Sequence, residues 1–275
     1  MTPVEPPADK SDGAECRVMI PKRPVRTEGL EDSSYALAWA IHLRGSTPKV
    51  RLLSSFSDAR EGQLSPNELW LWVGEVADPF ADDTVDFAQI LDEATLARLA
   101  RLSRKQDLAS IGVAHASARI LLGAMLDLPP NALRFGRGPC GKPHLVSPRT
   151  SSEKLLHFNL SHTEGAVAVA LARDPVGVDI EFQRHQSDFL EIADIVFAPE
   201  SVAAVANATG GLERRSLFYR YWTLGEALIK ATGGGMSHDL KSFAFTSQGE
   251  PKLCRAGDEF GLAEHWAFGI HGVGR

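Results

Sequence analysis

The sequence is poor in cysteine, tyrosine and methionine, with three, three and four of these in 275 residues. The cysteines, Cys16, Cys140 and Cys254, are odd in number, far apart and in no metal-ligand spacing. That excludes a disulfide framework and a cysteine zinc site, and it fits free thiols in a reducing compartment. Long hydrophobic runs are also missing. The longest near the start, Tyr35 to Leu43, contains His42 and is too short to span a bilayer. There is no excess of basic charge: 29 Lys and Arg face 35 Asp and Glu, a net charge of −6. A nucleic-acid-binding domain is therefore disfavoured. The first residues carry acidic groups and prolines where a secretion signal needs a basic stretch followed by an apolar one. The expectation is a cytoplasmic protein without membrane attachment.

What is present is ordinary globular composition, 44% apolar and 23% charged. Wholesale disorder is excluded, and the length suits one large domain or two small ones. Residues 1–66 differ from the rest. Pro3, Pro6, Pro7, Pro21 and Pro24 are mixed with acidic, Ser and Lys residues. This segment is expected to be a mobile extension with one short ordered piece around 35–43. Packed structure is expected to begin at Leu69-Trp-Leu-Trp-Val73, a short apolar run suited to a buried strand.

Asp92 is a candidate N-cap for a helix to Lys105, with Leu96, Leu99 and Leu102 on one face and Arg98, Arg101 and Lys105 on another. A second helix is expected from Leu108 to Asp127, stopped by Pro129-Pro130. Three strands follow, at His157–Leu160, Ala166–Ala172 and Val176–Phe182. Helical pieces are expected over 187–208, then a long helix from Leu212 to Thr232 that ends at Gly233, with closing strands at 241–246 and 264–270. The pattern indicates an α+β fold.

Four local patterns bear on chemistry. In Gly177-Val-Asp179-Ile-Glu181, a strand turns both carboxylates to one side, while Val178 and Ile180 face a core. Two adjacent carboxylates repel unless a cation lies between them or one binds a proton, and hard oxygen ligands suit Mg²⁺. The pattern alone also fits a half-exposed strand with a solvated acidic face. In the long helix, Trp222, Glu226 and Lys230 are four apart and share a face. That pair alone also fits a surface salt bridge. In Phe158-Asn-Leu-Ser161-His162, hydroxyl and imidazole can bind phosphate, or merely satisfy a turn. Neighbouring strand residues point apart, and no G-x-S-x-G elbow occurs, so a Ser–His nucleophile couple is disfavoured. The loop Gly141-Lys142-Pro143, with Arg137 before it, can approach a phosphate closely.

The order of these four patterns resembles the 4′-phosphopantetheinyl transferases of the surfactin-synthetase-activating type, over roughly residues 69–270. The resemblance implies a pseudo-twofold pair of similar halves, each a small antiparallel sheet on a long helix, with the active site in the cleft between them. It places the halves at 67–175 and 176–275. It implies Mg²⁺-dependent transfer of the 4′-phosphopantetheine arm of coenzyme A to a serine of an apo acyl or peptidyl carrier protein, releasing 3′,5′-ADP. By the same resemblance, Asp179, Glu181 and Glu226 hold the metal, Glu226 and Lys230 are catalytic, and Lys142, Ser161 and His162 bind coenzyme A. Arg98 and Arg101, with Lys105, are expected on its 3′-phosphate, although a solvated basic helix face also fits. A monomer is implied.

Two departures stand out. Gly225 occupies the place of a family lysine, and Leu108-Ala-Ser110 follows Asp107 where relatives often carry arginine. Each lost cation is expected to weaken binding, with Arg137 or Lys154 as substitutes. A coenzyme A or carrier-protein binding module without catalysis is the alternative, in which case Gly225→Lys should restore some rate. A Mg²⁺-dependent phosphohydrolase using the same carboxylates is the third.

Overall fold

A computed structural model of the chain describes residues 17–18, 27–28, 34–43, 46–76, 85–103, 105–147, 156–185, 188–235 and 238–274. The strands before the first long helix are β1 (Arg17–Val18), β2 (Thr27–Glu28), β3 (Tyr35–His42), β4 (Lys49–Leu52), β5 (Glu68–Glu75) and β6 (Val85–Asp86). Helices α1 (Ser57–Glu61), α2 (Glu93–Leu99) and α3 (Lys105–Leu126) accompany them. Then come β7 (Arg134–Arg137), β8 (Pro143–Ser147), β9 (His157–Thr163), β10 (Ala166–Ala172) and β11 (Val176–Phe182). Helices α4 (Phe189–Val196), α5 (Pro199–Ala206) and α6 (Gly211–Thr232) precede β12 (Ala244–Phe245), β13 (Leu253–Arg255) and β14 (Trp266–Val273).

Two four-stranded sheets dominate, in the orders β4-β5-β10-β9 and β11-β3-β14-β2. They pack face to face. Tyr35, Leu37, Trp39 and Ile41 share one apolar cluster with Ala166, Ala168, Ala170 and Ala172 of the other sheet. The alternate residues of each strand face outward. Val167, Val169 and Leu171 pack with residues of α3, and Ala36, Ala38 and Ala40 with residues of α6. The layers therefore run helix, sheet, sheet, helix. Strands covered on both faces carry apolar residues at nearly every position, which is why β3 and β10 have no polar alternation. Large residues on β3 meet alanines on β10, so the two inner faces interlock at high density.

This corrects the expectation for the first 66 residues. Tyr35–His42 is no ordered fragment of an extension but an inner strand, paired to β11 on one side and β14 on the other. Burial between two layers offsets the ordering entropy that its polar, Pro-rich surroundings cannot. Residues 49–61 add β4 and α1, and β4 pairs with β5 in parallel, so the first sheet is not wholly antiparallel. The second sheet thus draws two strands, β2 and β3, from outside residues 176–275. Most of residues 1–33 lie outside the described residues.

Asp92 does cap α2, its side chain accepting from the Thr95 N–H at 2.8 Å. The helix stops at Leu99, however, and Lys105 opens α3 instead, so the expected Arg98–Arg101–Lys105 stripe does not lie on one helix. The described part of α3, Leu108–Leu126, is long and apolar enough to cross a membrane, but it is mostly buried against the first sheet.

Helix α6 lies directly on β11. A Cβ at Gly177 would meet the Ala227 carbonyl oxygen at 2.0 Å and the Ala231 nitrogen at 2.5 Å. Only glycine permits this approach. The helix ends at Gly233, left-handed at φ 76°, whose N–H bonds the Ile229 carbonyl at 3.1 Å. Gly177→Val should lower unfolding stability by about 2 kcal/mol or more, measured by urea denaturation, because backbone must move. An unchanged midpoint contradicts this packing.

Candidate active site

The site grows from the seam where β9, the edge of the first sheet, runs beside β11, the edge of the second. Side chains spaced two apart on β9 serve as acceptors for backbone amides of β11. Asn159 Oδ1 accepts from the Val178 N–H at 2.9 Å, Ser161 Oγ from Ile180 at 3.3 Å, and Thr163 Oγ1 from Phe182 at 3.2 Å. Each edge amide is buried or half-buried and needs a partner. The two hydroxyls also donate, Ser161 to Asp179 Oδ1 at 2.9 Å and Thr163 to Glu181 Oε2 at 3.3 Å. One side-chain ladder therefore joins the sheets and aims both carboxylates.

Helix α6 closes the site from above. Lys230 Nζ donates to Asp179 Oδ1 at 2.5 Å and to Ser161 Oγ at 3.0 Å. Ser161 thus uses its one proton and both lone pairs. Trp222 Nε1 donates to Glu181 Oε1 at 3.2 Å. Glu226 lies between these two residues on the helix, and with Lys230 it lines a cleft of about 640 Å³. The four-residue spacing of Trp222, Glu226 and Lys230 does bring all three to one side.

Electrostatics mark the cluster. Burial first, then the charge of Asp179, pushes the Glu181 carboxyl up to about 7. The same two causes, in the same order, raise Glu226, with Lys230 opposing them. Asp179 Oδ2 is buried with no hydrogen-bond partner. An orphaned carboxylate oxygen beside two acidic groups that resist ionisation fits a hard divalent cation. Lys230 now holds Asp179, and among the described residues no three ligand-type side chains converge into a ready-made metal site.

The residues expected on coenzyme A fall into two places. Lys142 lines the cleft, where its Nζ donates to the Val176 and Ala231 carbonyls, each at 2.9 Å. It ties the Gly141-Lys142-Pro143 loop to β11 and to the end of α6. Burial lowers its pKa to about 8. Ser161 lies at the buried seam, while His162 is exposed on the opposite side of β9. Arg98 and Arg101 line a second cavity of about 760 Å³, together with His115, Arg134 and Arg137. Pro143 borders both cavities. Lys154 and the side chain of Lys105 lie outside the described residues.

Sequence reasoning missed Asn159, Thr163, Arg134 and His115. The alternation Asn159-x-Ser161-x-Thr163 was a usable signal, since three hydrogen-bonding side chains share one strand face. Gly225 is also recast. A Cβ there would meet Leu240 Cδ2 at 2.5 Å and the Phe243 ring at 3.1 Å, so the position is filled by apolar packing. Gly225→Lys cannot be seated without displacing Leu240, and the expected rescue loses its footing.

Two family models together match residues 78–272 of the chain. Residues 78–174 match the 4′-phosphopantetheinyl transferase N-terminal family, and residues 175–272 match the 4′-phosphopantetheinyl transferase superfamily. The chain belongs to the 4′-phosphopantetheinyl transferase superfamily. Similar superfamily members include HetI of Nostoc sp., 30% identical over 176 residues that cover 63% of this chain and 72% of HetI. Sfp of Bacillus subtilis is 29% identical over 52% of this chain and 61% of its own. The human L-aminoadipate-semialdehyde dehydrogenase-phosphopantetheinyl transferase is 32% identical over 46% of this chain and 43% of its own. The Synechocystis protein slr0495, named after the same family, is 34% identical over 56% of this chain, which spans 61% of its length.

The Asp179–Lys230 pair is asymmetric: the aspartate side chain is 3% exposed and the lysine 29%. Removing the lysine strands a buried charge, whereas removing the carboxylate frees a lysine that can turn outward. With a chelator present, Lys230→Met should cost about 3 kcal/mol of stability. Asp179→Asn should cost roughly 1 kcal/mol. Equal costs, or the reverse order, in denaturant titrations contradict this account of the pair.

Proposed function

We propose that the chain transfers the 4′-phosphopantetheine arm of coenzyme A to a serine hydroxyl of an apo acyl or peptidyl carrier protein, releasing 3′,5′-ADP. The observation that carries this is that Lys230 holds Asp179 and Trp222 holds Glu181 at one seam, beside the cleft that Glu226, Lys230 and Lys142 line. The carrier serine oxygen forms the new bond to the phosphorus that bears the pantetheine. The bond from that phosphorus to the bridging pyrophosphate oxygen breaks, and the nucleotide leaves with that oxygen.

Such a transfer needs alignment and charge neutralisation more than covalent help from the protein. Glu226 accepts the serine proton. Its burial and its acidic neighbour make it more basic than a solvated glutamate, as suits a base near neutral pH. Lys230 is placed to meet the pyrophosphate once Asp179 is otherwise engaged. Lys142 holds the cleft wall and presents positive charge to the nucleotide. Mg²⁺ bound by Asp179, Glu181 and Glu226 would neutralise pyrophosphate charge. Lys230 and the ladder hydroxyls keep Asp179 and Glu181 aimed. Ser161 acts as a positioning residue at Asp179, and His162 faces the nucleotide from the other side of β9.

The two halves form a pseudo-twofold pair in this proposal, since each sheet backs one long helix, α3 on the first and α6 on the second. The cleft is then complete within one chain, which supports a monomer. A cytoplasmic site of action follows from the substrates, coenzyme A and newly made apo carrier protein. The alternative is a module that binds coenzyme A or carrier protein without turnover, although the packing of Gly225 against Leu240 and Phe243 removes the argument from a missing charge.

Intact-mass spectrometry of an apo carrier protein incubated with coenzyme A and Mg²⁺ separates the two. A gain of one phosphopantetheine arm, abolished by a chelator, is the expected result. Glu226→Ala should reduce the rate at least a hundredfold without changing the melting temperature. Transfer at the wild-type rate by that variant overturns the assigned base, and coenzyme A binding without any mass gain selects the binding module.

A further inference from the structure

The seam repeats one pattern three times and leaves it incomplete once. Asn159, Ser161 and Thr163 of β9 accept from the Val178, Ile180 and Phe182 amides of β11. Ser161 and Thr163 also donate, each to the acidic side chain one residue before the amide it accepts, Asp179 and Glu181. In the same register Asn159 meets position 177, which is glycine and has no side-chain acceptor. Glycine stands there because α6 comes too close for a Cβ. The packing that seats the helix therefore leaves the donors of Asn159 without a partner on β11.

Asn159 is only 5% exposed. The buried Val178 N–H needs its carbonyl oxygen, and this fixes Nδ2, with two N–H groups, on the other side of the amide. Nδ2 has no partner among the described residues, and Asn159 lines the cleft beside Lys142, Glu226 and Lys230. A donor so placed is costly unless a ligand supplies an acceptor. The neighbouring cations narrow the chemistry of that ligand. Lys142 gives two of its three protons to the Val176 and Ala231 carbonyls, and Lys230 gives two to Asp179 and Ser161. Each keeps one for the cleft. Of the acidic lining residues, Asp239 already accepts from the Lys241 amide, and Glu226 is the other. A phosphate, anionic and rich in acceptors, matches two lysines and a fixed amide.

The geometry points to Asn159 as a substrate-binding residue whose Nδ2 donates to a non-bridging oxygen of the phosphate that bears the pantetheine. This rests on the transferase proposal, which brings that phosphate to Glu226 and Lys230 in the same cleft. Glu226 decides between the two phosphates of the pyrophosphate, because a base for the serine must lie near the phosphorus that the serine attacks. A neutral donor held rigidly by the seam aligns that phosphate without bringing a cation to pair with Glu226. Both ends of the Asn159 amide are then in use. Its oxygen joins the sheets, and its nitrogen holds the group to be transferred.

The test measures dissociation constants of coenzyme A and of 3′,5′-ADP, which lacks the pantetheine-bearing phosphate, by calorimetry with Mg²⁺ present. Two variants keep an acceptor for the Val178 amide. Asn159→Ser is uncharged and copies the way Ser161 serves Ile180. Asn159→Asp keeps the shape and the oxygen but has no N–H. Affinity for coenzyme A should fall about tenfold in Asn159→Ser and about a hundredfold in Asn159→Asp, with 3′,5′-ADP changed by less than about threefold. In turnover assays kcat/KM for coenzyme A should fall in the same order while KM for the carrier protein holds. A role confined to the seam gives the opposite ranking, with Asn159→Asp close to the wild type, and overturns the proposal. Equal weakening of both ligands overturns it too, and leaves the transferase proposal standing. A wild type that binds neither ligand overturns the transferase proposal instead. If Asn159→Asp fails to fold, the ratio of the two constants in Asn159→Ser decides, because both ligands are read on one protein.

Discussion

The hydrogen-bonded seam between β9 and β11 is the constraint on which the rest depends. Two sheet edges meet there, and the β11 edge would otherwise carry unpaired backbone amides away from water. Three side chains at two-residue spacing, Asn159, Ser161 and Thr163, replace a backbone ladder by accepting from Val178, Ile180 and Phe182. A side chain that accepts an amide still has a proton to give. Ser161 and Thr163 give theirs to Asp179 and Glu181. Joining the sheets and aiming the acids are the same set of bonds.

The remaining pieces fall into place around this seam. Alternation along β11 sends Val178 and Ile180 into the inter-sheet core and Gly177, Asp179 and Glu181 toward α6. Gly177 lets the helix settle close enough for Lys230 to reach Asp179 and for Trp222 to reach Glu181. Lys142 then fastens the loop to the end of the same helix through the Ala231 carbonyl. Acidic groups gathered without enough compensation resist ionisation, as Glu181 and Glu226 do, and that imbalance makes the site receptive to a cation.

Much of this was legible in the sequence because local rules and tertiary packing agreed. The apolar runs at Ala166–Ala172 and Val176–Phe182 coincide with strands, and the helix to Thr232 stops at its glycine. The one-sided placement of Asp179 with Glu181, and of Trp222 with Lys230, follows from the two periods alone. What escaped was set by partners distant in the chain. Tyr35–His42 reads as an apolar island because its stabilising neighbours are β11 and β14, more than 130 residues away. Helix α2 ends early although its charges continue the helical spacing to Lys105. Arg134 and His115 join Arg98 only through the buried bridge of Arg119, which no local motif announces. Gly225 looked like a missing charge, whereas it is a packing position against Leu240 and Phe243.

The most direct test of the seam is the affinity of Mn²⁺, a spectroscopic substitute for Mg²⁺, for the Thr163→Val variant, followed by electron paramagnetic resonance. The change keeps the shape of the side chain but removes both the acceptor for the Phe182 amide and the donor to Glu181. If the ladder aims the acids, metal affinity should fall about ten- to a hundredfold while the protein remains folded. An affinity equal to that of the wild type would show that the carboxylates are held independently of the seam, and would contradict the account.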